Sequence, residues 1–173
     1  MAVEWVRLEL DLHAFDGAPY QQYLQRCRSA GIEFTTMEQL GDTVEQRRAL
    51  FELNKLCSAD IPERGTFSTW EVYEAERLNV AGYDPQGVML ALDQGRWAGM
   101  SATSLRRDKG DAFSEMTGVL RSHRRQGIAL ALKLLAVDFV QARGLRWLRT
   151  QHHPDNSGAI ALNRRLGYTD STA

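Results

Sequence analysis

The eleven residues from Val119 to Ala129, VLRSHRRQGIA, carry the most legible chemistry in this chain. Arg124, Gly127 and Ala129 form an R-x-x-G-x-A pattern, with Arg125, Gln126 and Ile128 between them. The pattern falls where a strand is expected to end and a helix to begin. The first turn of a helix leaves about four amides without intrahelical partners, and the macrodipole adds positive potential there. Gly127 and Ala129 leave room for an anion to approach the backbone, and Arg121, Arg124 and Arg125 put charge at the rim. A pyrophosphate suits such a place. Alone, the same residues also describe a helix start that needs glycine at a tight bend.

The elements that would hold this turn follow from periodicity. Val3 to Leu12 alternates with period two and reads as a strand. Asp16 to Pro19 starts a helix that runs to about Ala30, with Pro19 in its first turn. Ile32 to Leu40 reads as a short strand, and Asp42 or Thr43 caps a helix through Cys57. Ser68 or Thr69 caps a further helix over about 70–78. From residue 87 the pattern changes. GVMLAL (87–92) is a continuous apolar run, as in a strand buried on both faces. The segments 96–105 and 111–120 complete a meander across turns at 93–95 and 107–110. A long helix is expected over 127–142, a strand over 145–150, and a last helix from Asn156 or Ser157 to Gly167.

Composition narrows the class. A length of 173 residues fits one domain, spanning 1–173. With 43% apolar and 25% charged residues, disordered and collagen-like chains are excluded. Two cysteines, Cys27 and Cys57, make no disulfide framework, so a reducing, cytoplasmic setting is expected. No apolar leader follows Met1, and the most apolar stretch, Ile128 to Val137, is short and interrupted by Lys133. Residues 1–86 carry eight basic and fifteen acidic side chains, whereas 87–173 carry thirteen and seven. A local anionic ligand for the second half fits this split. The pI near 6.4 and a basic turn without interleaved aromatics argue against nucleic acid as a partner.

The basic turn, together with His153-Pro154-Asp155-Asn156 and AIALNRRLGY (159–168), resembles the GCN5-related N-acetyltransferase (GNAT) family. Thr117-Gly118-Val119 and Ala131-Leu132-Lys133 resemble several bacterial members. The likeness is specific over about 87–168 and only topological over 1–86. It implies an α/β (α+β) fold: a mixed, mostly antiparallel sheet with helices on both faces and a splayed strand pair. It also implies acetyl-CoA, or another acyl-CoA, as co-substrate. The amides of Arg124, Arg125, Gln126, Gly127, Ile128 and Ala129 would hold the pyrophosphate, and the strand edge at Val119 would pair with the pantetheine amides. Asn156 and Asn163 would lie near the thioester arm.

The implied reaction needs a neutral amine. A lysine-like amine is about 1 part in 2,500 free base at pH 7, a penalty of roughly 4–5 kcal/mol. A general base removes that proton. Glu115, at mid-strand beside the implied thioester, is the leading candidate, and its other reading is a partly exposed strand residue. His123, in the phosphate turn, and His152 and His153, after the 145–150 strand, are alternatives. The H-H-P spacing is not a convincing metal site without carboxylate or cysteine partners, so no metal is expected. Many members of the family carry a tyrosine on the last helix that protonates the leaving thiolate. Asn163 matches that position, and an amide is no proton source at ordinary pH.

The family also continues past L-G-Y through one or two strands, where this chain ends at Ala173. The segment 1–12 is expected to fill that sheet position, in the same molecule or a partner, or to belong to a preceding domain of a tandem protein. A homodimer through Trp147 and an exposed first strand is a further family-level expectation. The functional expectation is direct transfer of an acetyl group to a small-molecule or protein amine in a ternary complex, without nucleic acid or membrane as partner. The alternative is a non-catalytic acyl-CoA-binding or regulatory domain.

Overall fold

The structure is a computed structural model and describes residues 2–172. Strand β1 (Val6–Asp11) buries Leu8 and Leu10 on alternate positions. Pro19 opens a 3-10 turn (Ala18–Tyr20) that runs into α1 (Gln21–Ser29). The expected strand over 32–40 is divided. Its first half is β2 (Ile32–Thr36), and its second is the helical turn α2 (Met37–Leu40). The reason is a capping box: the Thr36 hydroxyl accepts from the Gln39 amide, and the Gln39 side chain accepts from the Thr36 amide. The same device, Thr43 with Gln46, starts α3 (Val44–Cys57). Thr69 caps α4 (Trp70–Tyr73), which continues as a π-helical turn over Glu74–Leu78.

The meander is β3 (Val88–Asp93), β4 (Arg96–Arg106) and β5 (Asp111–Val119). Helix α5 (Ile128–Ala142), strand β6 (Trp147–His152), helix α6 (Ser157–Arg165) and the two-residue strand β7 (Thr169–Asp170) follow. Strand β6 begins two residues later than periodicity suggests, which brings His152 into the strand rather than after it.

The seven strands form one sheet in the order β2-β3-β4-β5-β6-β1-β7. Every pairing is antiparallel except β5 with β6. Strand β1 pairs with β6 from Val6↔His152 to Asp11↔Trp147, and β7 covers its other edge at Leu8 and Glu9. The first strand is therefore interior over those residues, and an interface through it would have to use Trp147 and its surroundings instead. Helices α1 and α5 pack on one face, over Leu8, Ala91, Ala112 and Leu148; α3 and α4 pack on the other, over Val88, Leu90 and Met100. Leu90 and Ala91 thus point to opposite cores, which accounts for the unbroken apolar run in β3. Among the described residues, no helix is long and apolar enough to cross a membrane.

Candidate active site

The functional geometry starts where β5 and β6 part. Their ladder holds only Ala112↔Leu148 and Phe113↔Arg149. That closed end is pinned by charge. The nearly buried Asp111 accepts two hydrogen bonds from Arg106, at 2.7 and 2.8 Å, and lies 3.0 Å from Arg149, which also meets Glu9 at 3.1 Å. Above it, Thr150 Oγ1 donates to the Ser114 carbonyl at 3.3 Å, and then the strands diverge. The β6-facing edge of β5 beyond that point is free of strand pairing. A cleft of about 810 Å³ opens there, walled by β5, β6, α5, α6 and the segment after α3. Gly118 makes that wall possible, since a Cβ there would come within 2.6 Å of Cys57 Cβ on α3.

At the top of the cleft, α5 begins without a cap. Gly127 takes a left-handed φ of 81° and Arg125 one of 62°. No side chain accepts from the first-turn amides, and no acidic residue stands in that turn. These are the orphan donors and positive dipole end that an anion requires. Ile128 offers only its amide, because its side chain lies in the core at 1% exposure. Ala129 faces the cleft. Arg124 is less free than the sequence suggests. It donates from Nε to the Val119 carbonyl at 3.1 Å and from Nη1 to Asp60 at 2.8 Å. Arg121 also binds Asp60, and the two guanidinium groups hold that carboxyl below its usual range. Arg125 and Gln126 are exposed at the rim. On its far side, Tyr23 of α1 packs near Gly127 and hydrogen-bonds Arg165. Neither residue was legible as part of this corner.

Glu115 sits at a β-bulge. Ala102 pairs with Met116 and Thr103 with Ser114, so Glu115 is the extra residue on β5. Bulges re-aim side chains and occur beside active sites. Here the carboxylate is turned to the cleft, accepting from Ser104 Oγ at 2.7 Å and from Arg77 Nη1. Arg77 comes from the π-helical turn after α4, a feature common at functional sites. Arg77 and Ser104 escaped the sequence reading.

The three histidines diverge. His123 lies between Asp93, at 2.9 Å, and the Ser122 hydroxyl, at 2.8 Å, and so braces the turn. His153 is buried. Its Nε2 meets Glu63 at 3.1 Å, and its Nδ1 accepts from the Asp155 amide at 3.2 Å. Glu63, His153 and Asp155 thus gather ligand-type atoms within 4.8 Å; Asp155 stands two residues from His153 in the sequence, and the fold adds Glu63. Both ring nitrogens are already committed to hydrogen bonds. His152 alone faces the cleft.

Beneath His152 lies a buried polar floor. The Asn163 amide donates to His152 Nε2 at 2.6 Å, so the neutral ring carries its proton on Nδ1. Burial, with Lys133 adding repulsion, brings the His152 pKa down to about 4. Asn163 is fully buried, and its Oδ1 has no hydrogen-bond partner. It therefore reaches the cleft only through His152, whereas Asn156, at the start of α6, lines the cleft directly. Lys133, on the same face of α5 as Ala129, is 5% exposed and also lines the cleft. Burial lowers its pKa to about 8. Cys57 lines the cleft as well, but burial raises its thiol to about 11, too high for a nucleophile at neutral pH.

Of the residues singled out from sequence, Glu115, Val119, Arg124, Ala129 and Asn156 share this cleft. Arg125, Gln126 and Gly127 are not among the residues that line it, although their neighbours Arg124 and Ala129 are, and Ile128 and Asn163 are buried.

Comparison with known proteins agrees with this architecture. Residues 47–168 match the acetyltransferase (GNAT) family. The mycothiol acetyltransferase of Pseudarthrobacter chlorophenolicus is 31% identical over 126 residues, covering 70% of this chain and 38% of that protein. That of Arthrobacter sp. is 29% identical over 130 residues, covering 72% and 40%. The crystal structure of a GCN5-related N-acetyltransferase from Sphaerobacter thermophilus superposes with a TM-score of 0.65 at 21% identity, over 96% of this chain and 48% of that one. The chain spans about two fifths of the length of the curated relatives it matches.

Proposed function

The chain belongs to the acetyltransferase (GNAT) family, and on that premise we propose that it transfers an acetyl group from acetyl-CoA to a primary amine, directly, within a ternary complex. The observation that carries this reading is one cleft that joins an uncapped helix N-terminus to an unpaired strand edge. The residues suit the group: orphan amides for the pyrophosphate, small residues at Gly127 and Ala129, and peptide groups of β5 for the pantetheine. When bound, the acyl-CoA supplies an activated thioester. The α5 amides hold its charged end, and Arg125 adds charge at the rim. The β5 edge orients the arm.

Glu115 is the general base, directly or through one water. Arg77 and Ser104 hold its carboxylate toward the cleft, and one of its lone pairs must be shared with the incoming ammonium. Around Glu115 the cleft wall carries Glu63 and Glu76 alongside Arg64 and Arg77, a balanced set of charges. The names of the matched relatives point toward a small-molecule acceptor. The buried free thiols Cys27 and Cys57 suit a reducing, cytoplasmic setting. No nucleic-acid or membrane partner enters this reading.

The test is thiol release from acetyl-CoA against a panel of amines, for wild type and Glu115→Gln. Amine-dependent release in wild type, lost in the variant with CoA affinity retained, supports the enzyme. A second reading, an acyl-CoA-binding domain without turnover, is favoured by the buried amide of Asn163 where relatives carry a hydroxyl. It predicts CoA binding with no amine-dependent release by either protein.

A further inference from the structure

We propose that Lys133 is the acid that protonates the departing CoA thiolate, a role that Asn163 leaves without a side chain. The inference rests on the acetyltransferase reading and extends it to a residue on a different helix.

A lysine in the middle of α5 has no structural reason to be there. Ten residues of this helix are buried, and Lys133 is the sole ionisable one among them. The other charge on the helix, Asp138, is exposed further along it. Among the described residues, Lys133 makes no hydrogen bond and no ion pair; the Tyr168 ring lies 5.6 Å from Nζ, and the ammonium also disfavours charge on His152. A buried ammonium is ordinarily paired, since its desolvation is costly. This one instead lines the cleft, on the face of α5 that begins with Ala129.

Its surroundings match the missing role. From β6, His152 faces it, kept neutral by burial and by repulsion from Lys133 itself. From β5, Glu115 lines the same cleft, paired with Arg77. Tyr168, after α6, is fully buried, and its hydroxyl is pushed well above the ordinary tyrosine range, so it is no proton donor at neutral pH. Asn156 and Asn163 of the α6 region carry no titratable proton. Lys133 is thus the remaining acid on the floor. Its pKa of about 8 keeps it mostly protonated at pH 7 and close to that of a thiol, about 8.5.

The acceptor nitrogen attacks the thioester carbonyl carbon, a C–N bond forms and the C–S bond breaks with its electron pair on sulfur. The sulfur takes a proton from the Lys133 ammonium. The proton shed by the acceptor nitrogen leaves through Glu115, and solvent in the cleft recharges Lys133.

The test reads the thiol of bound CoA, not turnover. Wild type, Lys133→Met and Lys133→Arg are saturated with free CoA, and thiolate formation is followed by ultraviolet absorbance against pH. Desulfo-CoA affinity and circular dichroism serve as controls for the site and the fold. The expected result is about tenfold more thiolate at a given pH on wild type than on Lys133→Met, with Lys133→Arg close to wild type and desulfo-CoA affinity unchanged. Equal thiolate titration on wild type and Lys133→Met overturns the inference and leaves the acetyltransferase reading standing. Failure of wild type to bind CoA overturns that reading and the inference with it. Intact mass after incubation with acetyl-CoA adds a further check, because an acetyl group found on Lys133 would make it an acceptor rather than an acid.

Discussion

Lys133 is held in place against stability, and that can be measured. Its pKa lies at about 8 in the fold against 10.5 for the ordinary side chain. Below pH 8 the full penalty applies, about 3 kcal/mol. Between pH 8 and 10.5 the native protein has shed a proton that the unfolded chain still holds, so the penalty fades as pH rises. Lys133→Met is therefore expected to stabilise the protein by about that amount at pH 7 and by little at pH 10.5, in urea unfolding at both values. His152 works at the other end. Its pKa falls from 6.5 to about 4, so its contribution is lost as pH drops from 6.5 toward 4, and His152→Gln should flatten that part of the stability profile. Glu115→Gln is expected to lower turnover by about 10²–10⁴-fold with CoA affinity unchanged. Glu115 could be singled out in the sequence only through the family resemblance, which implies a thioester beside that mid-strand position. Its bulge was not legible, because a bulge belongs to the pairing of two strands and leaves no mark on one. Arg77 and Asp60 lie far along the chain from their partners, and nothing in linear spacing joins them.

At the scale of elements, the cleft depends on where β5 and β6 stop pairing. The Asp111 carboxylate, bound by Arg106 and Arg149, fixes that point. Asp111→Ala leaves Arg106 without its carboxylate and Arg149 with Glu9 as its remaining anion. Such broken buried pairs cost about 3–5 kcal/mol, and the loss should appear as a lower urea midpoint with an unchanged m-value. The apolar face of α5 and the turn before it could be read directly, whereas the cap of α3 stayed open between Asp42 and Thr43 until the structure gave Thr43. The segment 32–40 misled because β-branched residues at its start favour a strand, whereas the Thr36–Gln39 capping box decides the rest. The two residues of β7 carry no periodicity, and only their pairing with β1 defines them.

For the molecule as a whole, the placement of β1 is what the sequence left open. Alternation showed a strand but not its neighbours. Leu8 is completely buried between the β6 and β7 sides of the sheet, under α5. Leu8→Ala should cost about 2–5 kcal/mol in equilibrium unfolding. A change near zero would mean that β1 does not pack as described. The uneven charge of the two halves also becomes interpretable. Basic residues of the second half, Arg121, Arg124 and Arg125, stand before the start of α5, and Asp60 of the first half pairs with two of them.

The central claim is that the N-terminus of α5 and the free edge of β5 form one CoA site. Calorimetric titration with acetyl-CoA and free CoA tests it most directly, with Gly127→Glu and Gly127→Ala as controls. Both substitutions carry the strain of a φ of 81°, but only glutamate adds negative charge where the pyrophosphate must sit. The account predicts saturable binding by wild type, weaker binding by Gly127→Ala and none by Gly127→Glu, with all three folded by circular dichroism. Undiminished binding by Gly127→Glu, or no binding by folded wild type, would contradict it.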